Sequence, residues 1–226
     1  LARLSHPNVI AVHDVAVHDG RIVVAMEFVD GETLTSRLAR EPLPWRGVVK
    51  LLVQTGAGLA AAHGAGLVHR DFKPDNVMLA RDGRVHVMDF GLAREFELDD
   101  GQNSWSEQPP AAPGAEARSR LAGTPAYMAP EQHRGLPVDG RTDQFSFCVT
   151  LYEALYGHRP FVAEGAQALL ALIDQADVPP PPSHVKVPGR IRPTVLKGLA
   201  ADPDNRYPPM KTRLDAHERA SALRPP

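Results

Sequence analysis

The chain has 226 residues, 43% of them apolar and 23% charged, which is the composition of a soluble globular protein with a sizeable hydrophobic core. Its net charge of -2 excludes a general electrostatic attraction to nucleic acid or to an anionic membrane surface. The single cysteine, Cys148, excludes an internal disulfide. No signal peptide and no apolar run of the roughly 20 residues needed for a membrane helix occur, so a cytoplasmic location is expected.

The first predicted element is the last turn of a helix. Leu1 and Leu4 share a helical face, and Pro7 disfavours helical geometry at His6. Because such a helix would begin before Leu1, we expect the sequence to be a fragment or the product of a truncated gene.

A β-hairpin and two helices are predicted next. The runs "VIAVHDVAVHD" and "RIVVAMEFV" are joined by Asp19-Gly20, a strong hairpin signal. "DGETLTSRLAR" predicts a turn and a short helix, and "WRGVVKLLVQTGAGLAAAHGAGL" predicts a long helix that ends at Gly64 and Gly66. The inward face of the long helix follows helical spacing. Its members are Val48, Leu51, Leu52, Thr55, Leu59 and Ala62.

The remaining elements complete an α+β layout. "NVMLARDGRVHVMDF" predicts a second hairpin that turns on Asp82-Gly83. Residues 95–120 are polar, rich in Pro and Ala, and lack a sustained period, which is typical of a functional or disordered loop. "RTDQFSFCVTLYEALYG" predicts a buried helix, because apolar residues occur on most of its faces. Further helical patterns occur near residues 167–174, 191–200 and 210–223.

The stretch "HRDFKPDN", residues 69–76, allows two interpretations when it is taken alone. Asp, Asn and Pro favour turns, so it could be a solvated loop. The same residue types could position a hydroxyl group and a metal ion for phosphoryl transfer. Its context favours the second interpretation, because "DFG" follows at residues 89–91, "GTPAYMAPE" at 123–131 and "RTDQFSF" at 141–147.

In this order the motifs resemble the catalytic half of a serine/threonine protein kinase, and "GTPAYMAPEQ" resembles the eukaryotic-like kinases of bacteria. The resemblance runs from Leu1 to about Ala222. It implies an α+β, protein-kinase-like fold with a helical C-terminal lobe and only the last strands of the N-terminal lobe. Residues 1–30 would form the remnant of that lobe and the hinge. Residues 31–224 would form the C-terminal lobe, with an activation segment at about 89–131.

The resemblance implies roles for four catalytic residues, with ATP and Mg²⁺ as cofactors and a Ser/Thr-containing protein as substrate. Asp71 would accept the proton of the substrate hydroxyl, and Lys73 would stabilise charge on the transferring phosphoryl group. Asn76 and Asp89 would supply the oxygen ligands that Mg²⁺ prefers.

Four further residues would hold the adenine ring if the resemblance extends to "VAMEFVDGETL". Met26 would be the gatekeeper, the backbone groups of Glu27 and Val29 would hydrogen-bond the base, and Met78 would lie beneath it. Without the other motifs, the same stretch would be interpreted as an edge strand and a turn.

Other matched positions have implied structural roles. Asp143 would hold the backbone of the His-Arg-Asp turn, and Glu131 would pair with Arg206. An apolar column would join the two lobes. Its members would be His69, Phe90, Leu1 and Val12.

Five residues belong to the implied activation segment and its control. Arg70 precedes the catalytic aspartate and would meet a phosphate on that segment. Ser104, Ser106 and Ser119 are the available hydroxyls, and Ser119 is nearest the usual position in the family. Thr124 supports the serine/threonine class.

The resemblance lacks the parts that hold the phosphates of ATP, because no G-x-G-x-x-G and no V-A-I-K occur in the 226 residues. We therefore expect little or no activity from the isolated chain. The main interpretation is that the chain is the larger part of an active kinase. Two alternatives remain: a non-catalytic binding or scaffolding remnant, and a small-molecule phosphotransferase such as an aminoglycoside or choline kinase. The segment "GTPAYMAPE" argues against the last of these, which generally lack it.

Overall fold

A computed structural model describes residues 4–18, 21–90 and 125–207 of the chain. Several predicted features lie outside these ranges. They are the hairpin turn at Asp19-Gly20, the position of Leu1, the hydroxyls of Ser104, Ser106, Ser119 and Thr124, and the helix near 210–223.

The first sheet is the predicted hairpin. Strand β1 (Val12–His18) pairs antiparallel with strand β2 (Arg21–Met26). The residues just before β1 attach the hairpin to the rest of the fold, because Ile10 N donates to the carbonyl of Val87 at 2.9 Å. The same strand residue, Val87, donates its own N–H to the carbonyl of Asn8 at 2.9 Å.

The second sheet has three strands in the order β3 (Gly31–Thr33), β4 (Val77–Ala80) and β5 (Val85–Val87), all antiparallel to their neighbours. The β4–β5 hairpin was predicted, whereas "DGETLTSRLAR", predicted as a turn and a short helix, contains strand β3 before its helix. The absence of a side chain at Gly31 allows β3 to approach β4 closely, because a Cβ atom there would lie 2.1 Å from the carbonyl oxygen of Leu79. A run of three residues is too short to show the alternation that identifies a strand.

Two helices lie in the chain between β3 and residues 69–76, the candidate catalytic loop. Helix α1 (Leu34–Arg40) begins where the Thr33 side chain accepts a hydrogen bond from Ser36 N at 3.2 Å. Helix α2 (Trp45–Gly64) follows, and its predicted inward face is buried except at Leu51, which is half-buried.

The C-terminal half is helical. Within residues 125–207, four helices follow in chain order: α3 (Pro130–His133), α4 (Gly140–Tyr156), α5 (Ala166–Asp174) and α6 (Ile191–Gly198). Short 3₁₀ helices occur at Pro74–Asn76, Pro125–Tyr127 and Pro203–Asn205.

Helix α4 lies at the centre of the hydrophobic core. Thirteen of its 17 residues are buried, and it packs against α2 and α6. This burial on most faces explains why its sequence shows no polar side. In the three ranges that the structure describes, no helix is both long and apolar enough to span a membrane. The α+β class predicted from the sequence is confirmed.

Candidate active site

The loop between α2 and β4 brings Asp71 and Lys73 together. Lys73 Nζ lies 2.8 Å from Asp71 Oδ2, and the side chains are 20% and 45% exposed, respectively. The ammonium group therefore lies beside a carboxylate that solvent can reach.

Asn76 closes the same loop from its far end. Its Nδ2 donates to the backbone carbonyl of Asp71 at 2.8 Å, and its own N–H donates to the carbonyl of Lys73 at 3.0 Å. The side chain is only 6% exposed. Because the amide nitrogen is used inside the loop, the side-chain oxygen Oδ1 remains as an acceptor for a ligand.

Asp89 lies two residues after the end of β5. Its backbone is left-handed, with φ of 57°, and its side chain is exposed. The preceding residue, Met88, donates its N–H to the backbone carbonyl of Asn76 at 3.0 Å. This bond places the residue before Asp89 directly against the catalytic loop.

The donor types of Asn76 and Asp89 fit Mg²⁺. An amide oxygen and a carboxylate are hard oxygen ligands, and Mg²⁺ is often held by one or two protein groups together with phosphates and water. Within residues 4–18, 21–90 and 125–207, no group of three or more His, Cys, Asp or Glu side chains could hold a metal ion. Asn76 and Asp89 are therefore suited by donor type to hold Mg²⁺ together with phosphates and water.

A buried carboxylate on α4 holds the turn that precedes Asp71. Asp143 is fully buried, and its Oδ2 and Oδ1 accept the N–H groups of His69 and Arg70, both at 2.8 Å. Oδ2 also lies 2.7 Å from His63 Nε2. The contact implied between Asp143 and this turn is present, whereas the contribution of His63 was not predicted.

Hydrogen bonds hold both backbone groups of Arg70, its N–H and its carbonyl. Its φ is 66°, a left-handed conformation that residues other than Gly, Asn and Asp rarely adopt. Asp143 binds its N–H, and Gln132 Nε2 donates to its carbonyl at 2.6 Å. Gln132 Oε1 in turn accepts the N–H of Ala129 at 3.1 Å. The side chain of Gln132 therefore joins α3 to the backbone next to Asp71.

Aromatic contacts fix the other side of the loop. The His69 ring lies 4.8 Å from the Phe90 ring and 5.7 Å from the Phe72 ring, measured between centroids. His69 Nε2 lies 2.9 Å from the Met88 carbonyl, and Phe72 lies 6.1 Å from Phe147 on α4. These rings join the catalytic loop, the end of β5 and the core helix. The contact implied between His69 and Phe90 is present, and Val12 lies in β1.

The four residues expected to hold adenine lie on two separate segments. Met26 ends β2, and Glu27 N donates to the Ala11 carbonyl at 2.8 Å. Met78 lies in β4, between Thr33 of β3 and His86 of β5. Met26, Glu27, Val29 and Met78 are all half-buried. Their role in nucleotide binding stays a prediction.

The ion pair between Glu131 and Arg206 joins α3 to the 3₁₀ helix after α6. Arg206 Nη1 and Nη2 lie 2.7 and 2.9 Å from the two carboxylate oxygens, and both residues are buried. Thr142 Oγ1 also donates to Glu131 at 2.8 Å. Burial acts to raise the pKa of Glu131, but hydrogen bonding to Arg206 and its charge outweigh burial, so the pKa lies below its usual value of 4.5.

Sequence reasoning missed two residues of this site, Gln132 and His63. Gln132 directly follows the "APE" motif, yet a single glutamine carries no signal of its own. The approach of His63 to Asp143 depends on Gly140, because a Cβ atom there would lie 2.8 Å from His63 Nδ1. The sequence shows that residue 140 is a glycine, but it does not show that Gly140 lies next to His63.

Comparisons with known proteins identify the family of the chain. A family model described as "Protein kinase domain" matches residues 1–210. The chain is 37% identical over 216 residues to the serine/threonine-protein kinase pkn3 of Myxococcus xanthus, covering 91% of this chain and 37% of that protein. It is 36% identical over 212 residues to PknB of Mycolicibacterium smegmatis, covering 91% and 32%.

A third relative is the serine/threonine-protein kinase PknL of Mycobacterium tuberculosis. It is 36% identical over 209 residues, which cover 92% of this chain and 49% of that protein. The chain thus spans between 32% and 49% of the length of these three curated relatives. Since the family model covers most of the chain and the catalytic-loop motifs lie within the match, the chain belongs to the protein kinase domain family.

Proposed function

We propose that the protein containing this chain transfers the γ-phosphoryl group of ATP to a serine or threonine hydroxyl of a protein substrate. The observation that carries the proposal is the contact of Lys73 Nζ with Asp71 Oδ2 at 2.8 Å, on a loop closed by Asn76. The names of the relatives, all serine/threonine-protein kinases, support the same reaction class. A cytoplasmic setting, with its supply of ATP and Mg²⁺, belongs to the proposal.

The proposed reaction exchanges one phosphorus–oxygen bond for another. The hydroxyl oxygen of the substrate forms a bond to the γ-phosphorus while the bond to the β-phosphate oxygen breaks, and ADP leaves. Asp71 orients the hydroxyl and takes its proton. Lys73 stabilises the negative charge of the phosphoryl oxygens from beside the same carboxylate.

Asn76 and Asp89 have the proposed role of metal ligands. Bound Mg²⁺ would neutralise charge on the phosphates. Asn76 would bind through Oδ1, and Asp89 would bind through its exposed carboxylate. The proposed adenine contacts are the backbone of Glu27 and Val29 with the side chains of Met26 and Met78. The half-burial of these four residues supports this, because it leaves surface for a ligand to cover.

A phosphotransfer assay with an isosteric variant tests the proposal. The full-length gene product is incubated with radiolabelled ATP, Mg²⁺ and a general protein acceptor, and the labelled amino acids are identified after acid hydrolysis. We expect label on phosphoserine and phosphothreonine, and its loss in Asp71→Asn.

The matched control is Asp75→Asn. Asp75 lies in the same loop with an exposed side chain, so the control should retain transfer. Label confined to tyrosine, or equal transfer by Asp71→Asn and the unchanged protein, would overturn the proposal.

A further inference from the structure

A groove of about 650 Å³ lies apart from the proposed catalytic residues, between α1, the start of α2 and the β4–β5 turn. Its volume is in the range of sites that bind ligands. None of Asp71, Lys73, Asn76 and Asp89 lines it. The proposed phosphotransfer therefore makes no use of this surface.

Positive charge dominates the described residues that line the groove. The single carboxylate among them is Glu32, which pairs with Arg40 at 2.8 Å. The chain as a whole has a net charge of -2, so this concentration of cations is local. The lining cations are Arg37, Arg40, Lys50, Arg81 and Arg84.

Two of these cations have no carboxylate partner among the residues that the structure describes. Arg37 donates to the backbone carbonyl of Glu41 at 2.8 Å, and the Lys50 side chain is exposed. In the described part of the chain, no Asp or Glu side chain lies within ion-pair distance of either residue. Both charges are therefore available to a ligand.

Two other cations have only exposed partners. Arg81 lies 3.2 Å from Asp30, and Arg84 lies 2.7 Å from Asp82, in pairs that are more than half exposed on both sides. Exposed pairs of this kind are weak, and a guanidinium has five N–H donors, so each arginine can still bind a second acceptor.

The groove also has an apolar component. Leu43, Leu51 and Leu79 line it, and all three are half-buried. Leu51 lies on the inward face of α2, where the neighbouring Leu52 is only 2% exposed. Apolar surface at these three residues thus remains for a partner to cover.

We propose that this groove docks an extended acidic segment of a partner protein, with apolar side chains between its carboxylates. Carboxylates would pair with Arg37 and Lys50, and the apolar side chains would cover the three leucines. The leucines favour a peptide over a nucleic acid, whose phosphate backbone has nothing to place against them. Docking here would raise the local concentration of a substrate or regulator without occupying the catalytic loop.

Fluorescence anisotropy with a labelled peptide of alternating Glu and Leu tests this proposal on the full-length gene product. The matched peptides replace Glu by Gln or by Lys. We expect the acidic peptide to bind more tightly than either and to weaken as salt is added. The readout needs neither ATP nor phosphotransfer, so its failure is distinct from failure of the proposed kinase activity.

Charge-reversal variants test whether the peptide binds in this groove. Lys50→Glu and Arg37→Glu should each weaken binding about five- to tenfold, because each change replaces an attraction with a repulsion. The control Lys186→Glu makes the same change at an exposed lysine outside the groove and should leave affinity unchanged. Circular dichroism and the melting temperature establish that the variants fold.

Three results would overturn the proposal. The first is equal binding of the acidic and Gln peptides. The second is equal loss of affinity in Lys186→Glu and Lys50→Glu. The third is displacement of the labelled peptide by an oligonucleotide or inorganic phosphate more readily than by unlabelled acidic peptide, which would assign the groove to another anion.

Discussion

At the scale of single residues, the backbone of Arg70 is the point on which the proposed catalytic carboxylate depends. A left-handed conformation costs an L-residue of this type about 1–2 kcal/mol, so it persists only when its surroundings hold it. Asp143 holds the N–H of Arg70 and Gln132 holds its carbonyl. The next residue is Asp71, so a change in either bond should move the carboxylate.

Gln132→Glu tests this dependence with little change of shape. Glutamate keeps an oxygen for the N–H of Ala129 but cannot donate to the Arg70 carbonyl when ionised. We expect kcat for phosphotransfer to fall about tenfold or more, because small misplacements of reacting groups are costly. The KM for ATP should change little, since Gln132 is not among the residues expected to bind nucleotide.

The matched control is Gln167→Glu, which makes the same change at an exposed position of α5. It should leave kcat unchanged. If Gln132→Glu lowers the melting temperature but leaves kcat intact, Gln132 only supports the fold and does not position Asp71.

At the scale of elements, helix α2 packs very closely against Asn8, in the segment that precedes β1, and against Val87 of β5. A Cβ atom at Gly58 would lie 2.4 Å from the carbonyl oxygen of Asn8 and 3.2 Å from Val87 Cγ2. The Asn8 carbonyl is already the acceptor for Val87 N. Glycine in the middle of a helix lowers its stability, so here close packing outweighs helix propensity.

Replacing Gly58 by alanine should therefore destabilise the protein by about 1–3 kcal/mol, as overpacking does, in spite of the better helix former. Gly64 provides the contrast, because a Cβ atom there meets nothing within 4 Å and Gly64→Ala should be neutral or stabilising. Urea unfolding of the two variants measures the difference. Equal free energies of unfolding would show that α2 can shift to accommodate the methyl group.

The limits of sequence-based prediction are visible at the same scale. The C-terminal end of α2 and the β4–β5 turn were predicted because Gly64, Gly66 and Asp82-Gly83 act locally on the backbone. Strand β3 was not, because its three residues are defined by their pairing with β4 rather than by a pattern of their own. Gln132 and His63 act across 62 and 80 residues of sequence, distances at which a single chain shows no periodic signal.

Motif residues, unlike these tertiary contacts, could be predicted from the sequence. The kinase family was predicted from residues 69–76, 89–91 and 123–131, and this prediction is confirmed. Such residues can be recognised because phosphoryl transfer demands particular charges and donors at fixed spacing. Their individual roles remain predictions.

At the scale of the whole molecule, the ion pair of Glu131 and Arg206 links segments 75 residues apart. Because folding lowers the pKa of Glu131 below 4.5, the ionised pair stabilises the protein above that pH. This contribution is lost as the pH falls from 4.5 through the lower value of the folded state.

Glu131→Gln tests this linkage. At neutral pH it should lower the free energy of unfolding by about 3 kcal/mol, because it leaves Arg206 buried without a counter-charge. Glutamine does not titrate, so the difference between the two proteins should shrink as the pH falls below 4.5. Chemical unfolding at a series of pH values measures it, and a difference that stays constant with pH would contradict the linkage.

The central claim is that Asp71 serves the chemical step of phosphoryl transfer. Steady-state kinetics of the full-length gene product and its Asp71→Asn variant, with MgATP and a protein acceptor, test it most directly. We predict that kcat falls by about 10²- to 10⁴-fold, the usual contribution of a general base, while the KM for ATP stays within a few-fold. A kcat that survives the substitution, or a loss confined to the KM for ATP, would contradict the claim.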